Sequence, residues 1–226
     1  MNGSIYLLLH GIDEKGVDSI SYRDLCKIKE AAEISKYDVF FTFDDAKLSI
    51  FEPVINLFSD RMDSVYICPI VDRIDARGYA SWDQIRALSS KGARIASHSM
   101  SHENLKLMSH EQQSYEILHS IDVLSRELGV LVEYFSVPLG EYDNNTVLIA
   151  KKQNIKLLVS DFGIVSSSDD IRILRVPVHK FNVKKCVNLL EGKRFAFLDQ
   201  LVKQILKKTL RKIIGYNLYS RLRNVL

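Results

Sequence analysis

The chain has 226 residues, 46% hydrophobic and 26% charged, enough to bury a core and too apolar for global disorder. Four prolines and ten glycines leave little for a flexible linker, and no repeat or low-complexity tract is present. The net charge of +3 hides an asymmetry: from Lys193 onward nine Lys or Arg stand against one acid, Asp199, so the remaining chain is net acidic.

The first apolar run, at 5–9, reads as a strand. It is too short for a membrane span or the core of a signal peptide, and no basic segment precedes it, so the expectation is a cytosolic chain. Cys26, Cys68 and Cys186 are scattered without a Cys-x-x-Cys pair, which argues against a disulfide framework and fits a reducing compartment. Further strands are expected at 39–43, 65–70, 93–96, 132–135, 155–160 and 171–178. Helical segments lie between them. One starts at the N-cap Ser81 and stops at Gly92; another opens with Ser109 and Gln112 in capping-box spacing and closes at Gly129. Alternating strands and helices predict a parallel sheet or barrel covered by helices.

In such folds chemistry collects where strands end. Asp44 and Asp45 follow the second strand, His98 the fourth, Pro138 and Gly140 the fifth, Asp161 the sixth and His179 the seventh. The stretch "FFTFDDA" ends an apolar strand with two adjacent carboxylates, and a divalent cation would offset their repulsion. In "SHSMSH" the histidines stand four apart and can converge on one point. With one carboxylate they make a His-His-Asp set that leaves coordination positions open, and the second carboxylate is free to act as a base.

With these residues in place, the sequence resembles the polysaccharide deacetylases of the NodB-homology group, carbohydrate esterase family four. "TFDD" at Thr42 to Asp45 matches the family's first motif and "HSMSH" at His98 to His102 its second, in the right order and spacing. The resemblance covers roughly residues 5–179. It implies a distorted (β/α) barrel and metal-dependent removal of an N-acetyl, sometimes O-acetyl, group from a sugar; the catalytic domain is expected over 1–190, with 191–226 as a C-terminal helical appendage read from its own pattern. It assigns Asp45, His98 and His102 to a divalent metal, commonly zinc, and Asp44 to the general base. The third motif aligns with "SVPLG", giving the backbone N–H of Leu139 an oxyanion role and placing Pro138 by the substrate. The fourth aligns near Asp161 with Phe162 in the acyl pocket, and the last nominates His179 as general acid.

Several positions depart from the family pattern. Ser136 stands where many members carry an arginine that orients the base; Arg175, in "ILRVPVH", is expected to supply that charge from a neighbouring strand. Ala46 replaces a usual glycine, which matters if that position needs φ > 0. His10 is open to two readings, a hydrogen-bonded strand end or a site residue. His110 and His119 read as solvated or core-edge residues. "DFG" at 161–163 has no accompanying phosphate loop.

The tail from Phe195 repeats apolar residues at helical spacing with Lys203, Lys207, Lys208, Arg211 and Lys212 mostly opposite. It reads as a helix packed on the barrel or as one lying on an anionic membrane surface at the inner leaflet. No base-reading motif points to nucleic acid. The expected partner is an acetylated carbohydrate reachable from the cytoplasm, such as a lipid- or nucleotide-linked sugar. A non-sugar amide hydrolase with the same metal site, or an idle binding module, are the other readings.

Overall fold

The computed structural model of the chain describes residues 3–160 and 171–193. The expectations for Asp161, Phe162 and the basic tail beyond residue 193 lie outside the described residues. Seven strands, β1 (Ser4–Leu9), β2 (Asp38–Asp45), β3 (Val65–Pro69), β4 (Arg94–Ser97), β5 (Tyr134–Ser136), β6 (Lys156–Val159) and β7 (Arg172–Pro177), all pair in parallel. β7 returns to pair with β1, so the sheet closes into a barrel. Each strand falls on an expected apolar run. β5 starts later than its run because the Val132 N–H is taken by Ser125 Oγ at 3.1 Å instead of a neighbouring strand.

The strands are covered by α1 (Tyr22–Glu33), α2 (Phe51–Phe58), α3 (Trp82–Ser90), α4 (His110–Ser114), α5 (Ser120–Leu128), α6 (Asn144–Lys152) and α7 (Val183–Leu190). The expected capping box forms between Ser109 and Gln112, the expected N-cap Ser81 proves to be a capping box with Gln84, and α5 ends on Gly129 in the left-handed region at φ 65°. The segment between Ser109 and Gly129 is not one regular helix: a π turn, Tyr115–His119, separates α4 from α5. Ser120 Oγ donates to the carbonyl of Glu116 at 2.6 Å, a back-bond of the kind that widens and bends a helix.

Alternation along the strands builds two apolar layers. Ile5, Leu7, Leu9, Phe41, Phe43, Val65 and Ile67 pack outward with the helices. Tyr66, Cys68, Ala96, Leu158 and Ile173 fill the interior with Tyr6, Phe40 and Tyr134. Tyr6 stacks on Phe40 with ring centres 4.6 Å apart, and Arg94 donates to the Tyr66 hydroxyl at 2.9 Å, closing the N-terminal end of the barrel. Polar side chains are left to gather at the C-terminal rim. Among the described residues no helix is long and apolar enough to cross a membrane.

Candidate metal centre

Adjacent residues of a regular strand point to opposite faces, so Asp44 and Asp45 could not share a cavity if β2 simply continued. Asp44, 3% exposed, stays on the interior face. Asp45 then adopts φ 69° and Ala46 φ 48°, and this left-handed turn brings the Asp45 carboxylate back beside Asp44. His98 Nε2 lies 3.7 Å from Asp44 Oδ2 and 3.7 Å from Asp45 Oδ1. Ala46 does occupy a conformation that glycine takes freely and that costs an L-residue roughly 1–2 kcal/mol. A backbone bond from Ala80 N–H to Ala46 O at 2.9 Å helps hold it.

The two histidines come from the end of β4 and the loop after it. Ser99 and His102 both have positive φ, 68° and 65°, which folds the five-residue stretch back on itself. The loop is clamped from two sides. Ser99 Oγ accepts the His102 N–H at 2.8 Å. From the π turn, the buried Glu116 carboxylate accepts the N–H groups of Met100 and Ser101 at 2.9 and 3.0 Å and the Ser101 hydroxyl at 2.8 Å. The imidazoles end with ring centres 4.6 Å apart, and His102 Nε2 is 3.7 Å from Asp45 Oδ1.

One donor atom each from Asp45, His98 and His102 lies within 4.8 Å of the others. Atoms bound to one ion at about 2.0–2.2 Å stand roughly 3.0–3.6 Å apart, so the two 3.7 Å separations between Asp45 and the imidazoles need only slight closure. The protonation pattern fits as well. His98 Nδ1 sits 2.8 Å from the Ser136 carbonyl, which fixes the proton on that nitrogen and leaves the Nε2 lone pair facing the carboxylates. Burial and the neighbouring His98 push the His102 pKa down to about 4 against the opposing pull of Asp45 and Asp44, so His102 is neutral at neutral pH. Two imidazoles and a carboxylate suit a divalent transition metal.

Asp44 is held differently from Asp45. Arg175, fully buried on β7, forks onto it, Nη1 to Oδ1 at 2.8 Å and Nη2 to Oδ2 at 3.1 Å. Ser136 Oγ donates to Asp44 Oδ1 at 2.9 Å and lies 3.0 Å from Arg175 Nη2, while Arg175 Nη1 also reaches Thr42 Oγ1 at 3.1 Å. Burial alone would raise the Asp44 pKa. The Arg175 charge, His98 and the Arg175 hydrogen bond together outweigh it and hold the carboxyl well below the usual range. A guanidinium from β7 thus lies on Asp44, and the small serine at position 136 leaves room for it.

Leu8 is in register with Thr42 on one side and Pro177 on the other, and His10, Asp44 and His179 each follow two residues further along their own segments. The His179 N–H donates to Asn182 Oδ1 at 2.8 Å, and its ring lies 6.3 Å from that of Phe181. His10 Nδ1 is buried with no hydrogen-bond partner among the described residues. Pro138 is buried, and Leu139 sits on the 3₁₀ turn after β5 at φ 58°, 42% exposed. His110 is exposed, and His119 stacks on Tyr115 with ring centres 4.8 Å apart, both away from the centre.

Sequence reasoning passed over two residues. Cys68, in register with Asp44, contacts its carboxylate, and burial together with that charge pushes the thiol pKa well up, keeping it protonated. Its interior position was readable from alternation with Tyr66. Glu116 offered no such signal, because its orientation depends on the π turn.

The family model for polysaccharide deacetylase matches residues 31–158. No curated protein matches the chain. Among solved structures, IcaB from Ammonifex degensii superposes with a TM-score of 0.74 at 17% identity, covering 84% of this chain and 98% of that one. The Streptococcus pyogenes deacetylase PplD, solved with acetate, gives 0.66 at 17% identity over 77% of this chain and 92% of that one. A polysaccharide deacetylase from Bacillus cereus gives 0.70 at 18% identity, over 82% and 69%.

Proposed function

The chain belongs to the polysaccharide deacetylase family, and we propose that it hydrolyses an acetyl group, N-linked by preference, from a carbohydrate with the help of a divalent cation. The observation that carries this reading is the convergence of Asp45, His98 and His102 beside an arginine-held Asp44. Those three residues would hold the cation, with zinc the preferred metal for a His₂-carboxylate set, and when bound it supplies Lewis-acid polarisation and water acidification.

The chain's own groups account for the proton traffic. Asp44, ionised throughout the physiological range, takes a proton from the attacking water. Its low basicity is the cost of the Arg175 fork, which in return fixes its direction. As the acyl carbon becomes tetrahedral, the Leu139 N–H is offered to the oxyanion. When the C–N bond breaks, the leaving nitrogen must be protonated, since an amine anion leaves very poorly, and His179, two residues beyond the end of β7, is the proposed donor. The products are acetate and the free amino sugar.

The described cysteines are all free, which supports a reducing compartment and a substrate met in the cytoplasm. The basic tail suggests an anionic membrane surface as a partner. The test is acetate release from a panel of acetylated sugars by stripped and zinc-reloaded protein. Asp44→Asn is expected to keep its zinc and lose about 10²- to 10⁴-fold in kcat. Full activity in stripped protein, or an unimpaired Asp44→Asn, would remove the reading.

A further inference from the structure

Beside the metal centre two cations converge on one neutral atom. Lys47 Nζ donates to the Tyr79 hydroxyl oxygen at 2.9 Å, and Arg73 Nη1 donates to the same oxygen at 2.6 Å. Both charges also lie over the ring, 4.1 and 5.5 Å from its centre. Like charges are not normally gathered on a phenol without an anion to offset them. Lys47 has Asp45 at 3.7 Å, but that carboxylate belongs to the proposed metal ligands. Among the described residues no carboxylate lies within 4.0 Å of Arg73.

The cluster is built into the rim and is not a chance meeting of flexible side chains. Lys47 and Tyr79 face each other across an antiparallel bridge, reinforced by Leu48 N–H to Gly78 O at 3.0 Å. The turn carrying Arg73 (Val71–Arg73) is tied to the histidine loop, Val71 N–H to Ser99 O at 3.1 Å and Asp72 N–H to Met100 O at 3.0 Å. Lys47, Arg73 and Tyr79 are each half-buried. Because the phenol oxygen accepts from both cations, its own hydrogen is left to donate outward. The ammonium and guanidinium hydrogens not spent on the phenol oxygen, together with the phenol's own, put three kinds of donor side by side, which matches the several acceptor oxygens of a phosphoryl group.

We infer that Lys47, Arg73 and Tyr79 form an anion subsite that binds a phosphoryl group carried by the acetylated sugar. The inference rests on the deacetylase reading for the rest of the substrate. It names the substrate as a phosphorylated or diphosphate-linked amino sugar, with either a lipid or a nucleotide on the far side of the phosphate.

The test compares equilibrium binding and acetate release for an N-acetylhexosamine 1-phosphate and the uncharged methyl N-acetylhexosaminide. It uses the zinc-loaded full chain in wild-type and Arg73→Gln forms, with zinc content measured in each. Wild type should prefer the phosphate by about tenfold or more, and Arg73→Gln, which can still hydrogen-bond Tyr79, should lose most of that preference while the methyl glycoside changes less than about twofold. Equal treatment of the two sugars by wild type, or an equal loss on both in the variant, would overturn the subsite and leave a mere structural brace. If no sugar releases acetate but the binding preference persists and depends on Arg73, the deacetylase reading falls and the subsite stands. A short-chain prenyl diphosphate sugar and a nucleotide diphosphate sugar, run in parallel, distinguish the two sources by which gains more from Arg73.

Discussion

Replacing Arg175 by methionine removes the guanidinium and leaves Asp44 as an uncompensated charge inside the barrel. Arg175 is 0% exposed and the Asp44 side chain 4%, so solvent cannot take over the lost fork or its bonds to Ser136 and Thr42. Breaking a buried pair from one side costs about 3–5 kcal/mol. For a chain of this size that corresponds to a Tm lowered by roughly 6–20 °C at neutral pH. The sign with pH follows from the depressed Asp44 pKa. The pairing stabilises above the unfolded carboxylate value of about 3.9 and is lost as pH falls through the folded value. In the variant burial acts unopposed by the guanidinium, so the Asp44 pKa rises, and the deficit against wild type should be largest near pH 7 and shrink towards pH 4. The assay is thermal unfolding of metal-free protein at several pH values, paired with the acid limb of kcat/KM in the zinc-loaded form. That limb should move to higher pH in Arg175→Met, with Arg175→Lys in between because an ammonium keeps the charge but not the fork. Melting within about 2 °C of wild type together with an unmoved acid limb would refute the claim that Arg175 holds the base.

Two further outcomes are expected. Because the His102 pKa is lowered to about 4 from its ordinary value, stability attached to its neutral form is complete above about pH 6.5 and is lost as pH falls towards 4. Urea midpoints of the metal-free chain should therefore fall over that window in wild type and fall less in His102→Gln, and identical profiles would count against the burial argument. Glu116→Ala leaves the Met100 and Ser101 N–H groups without their acceptor and loosens the histidine loop, so zinc affinity by chelator competition should drop about 10- to 100-fold, while unchanged affinity would mean that the loop holds itself.

Much of the molecule was readable along the chain. Seven apolar runs of strand length, separated by capped helical segments, define an α/β architecture, because strand alternation and helix capping are local and need only neighbouring residues. The order of "TFDD" and "HSMSH" likewise names the candidate metal-ligand types and the strand ends that carry them.

Tertiary structure decided how those residues meet. Two side chains that alternation would send to opposite faces share a cavity because the chain turns left-handed at Asp45 and Ala46. Arg175 reaches Asp44, 131 positions away, because β7 closes the barrel against β1 and the side chain of Ser136 is small enough to let the guanidinium through. Glu116 and Arg73 join the rim through a widened helical turn and a short loop whose orientation no periodicity encodes. Local pattern fixes which residues a strand or helix presents, since it depends on backbone geometry within a few residues. The partners of a buried charge depend on which distant strand comes to lie beside it, and only closure of the sheet selects that strand.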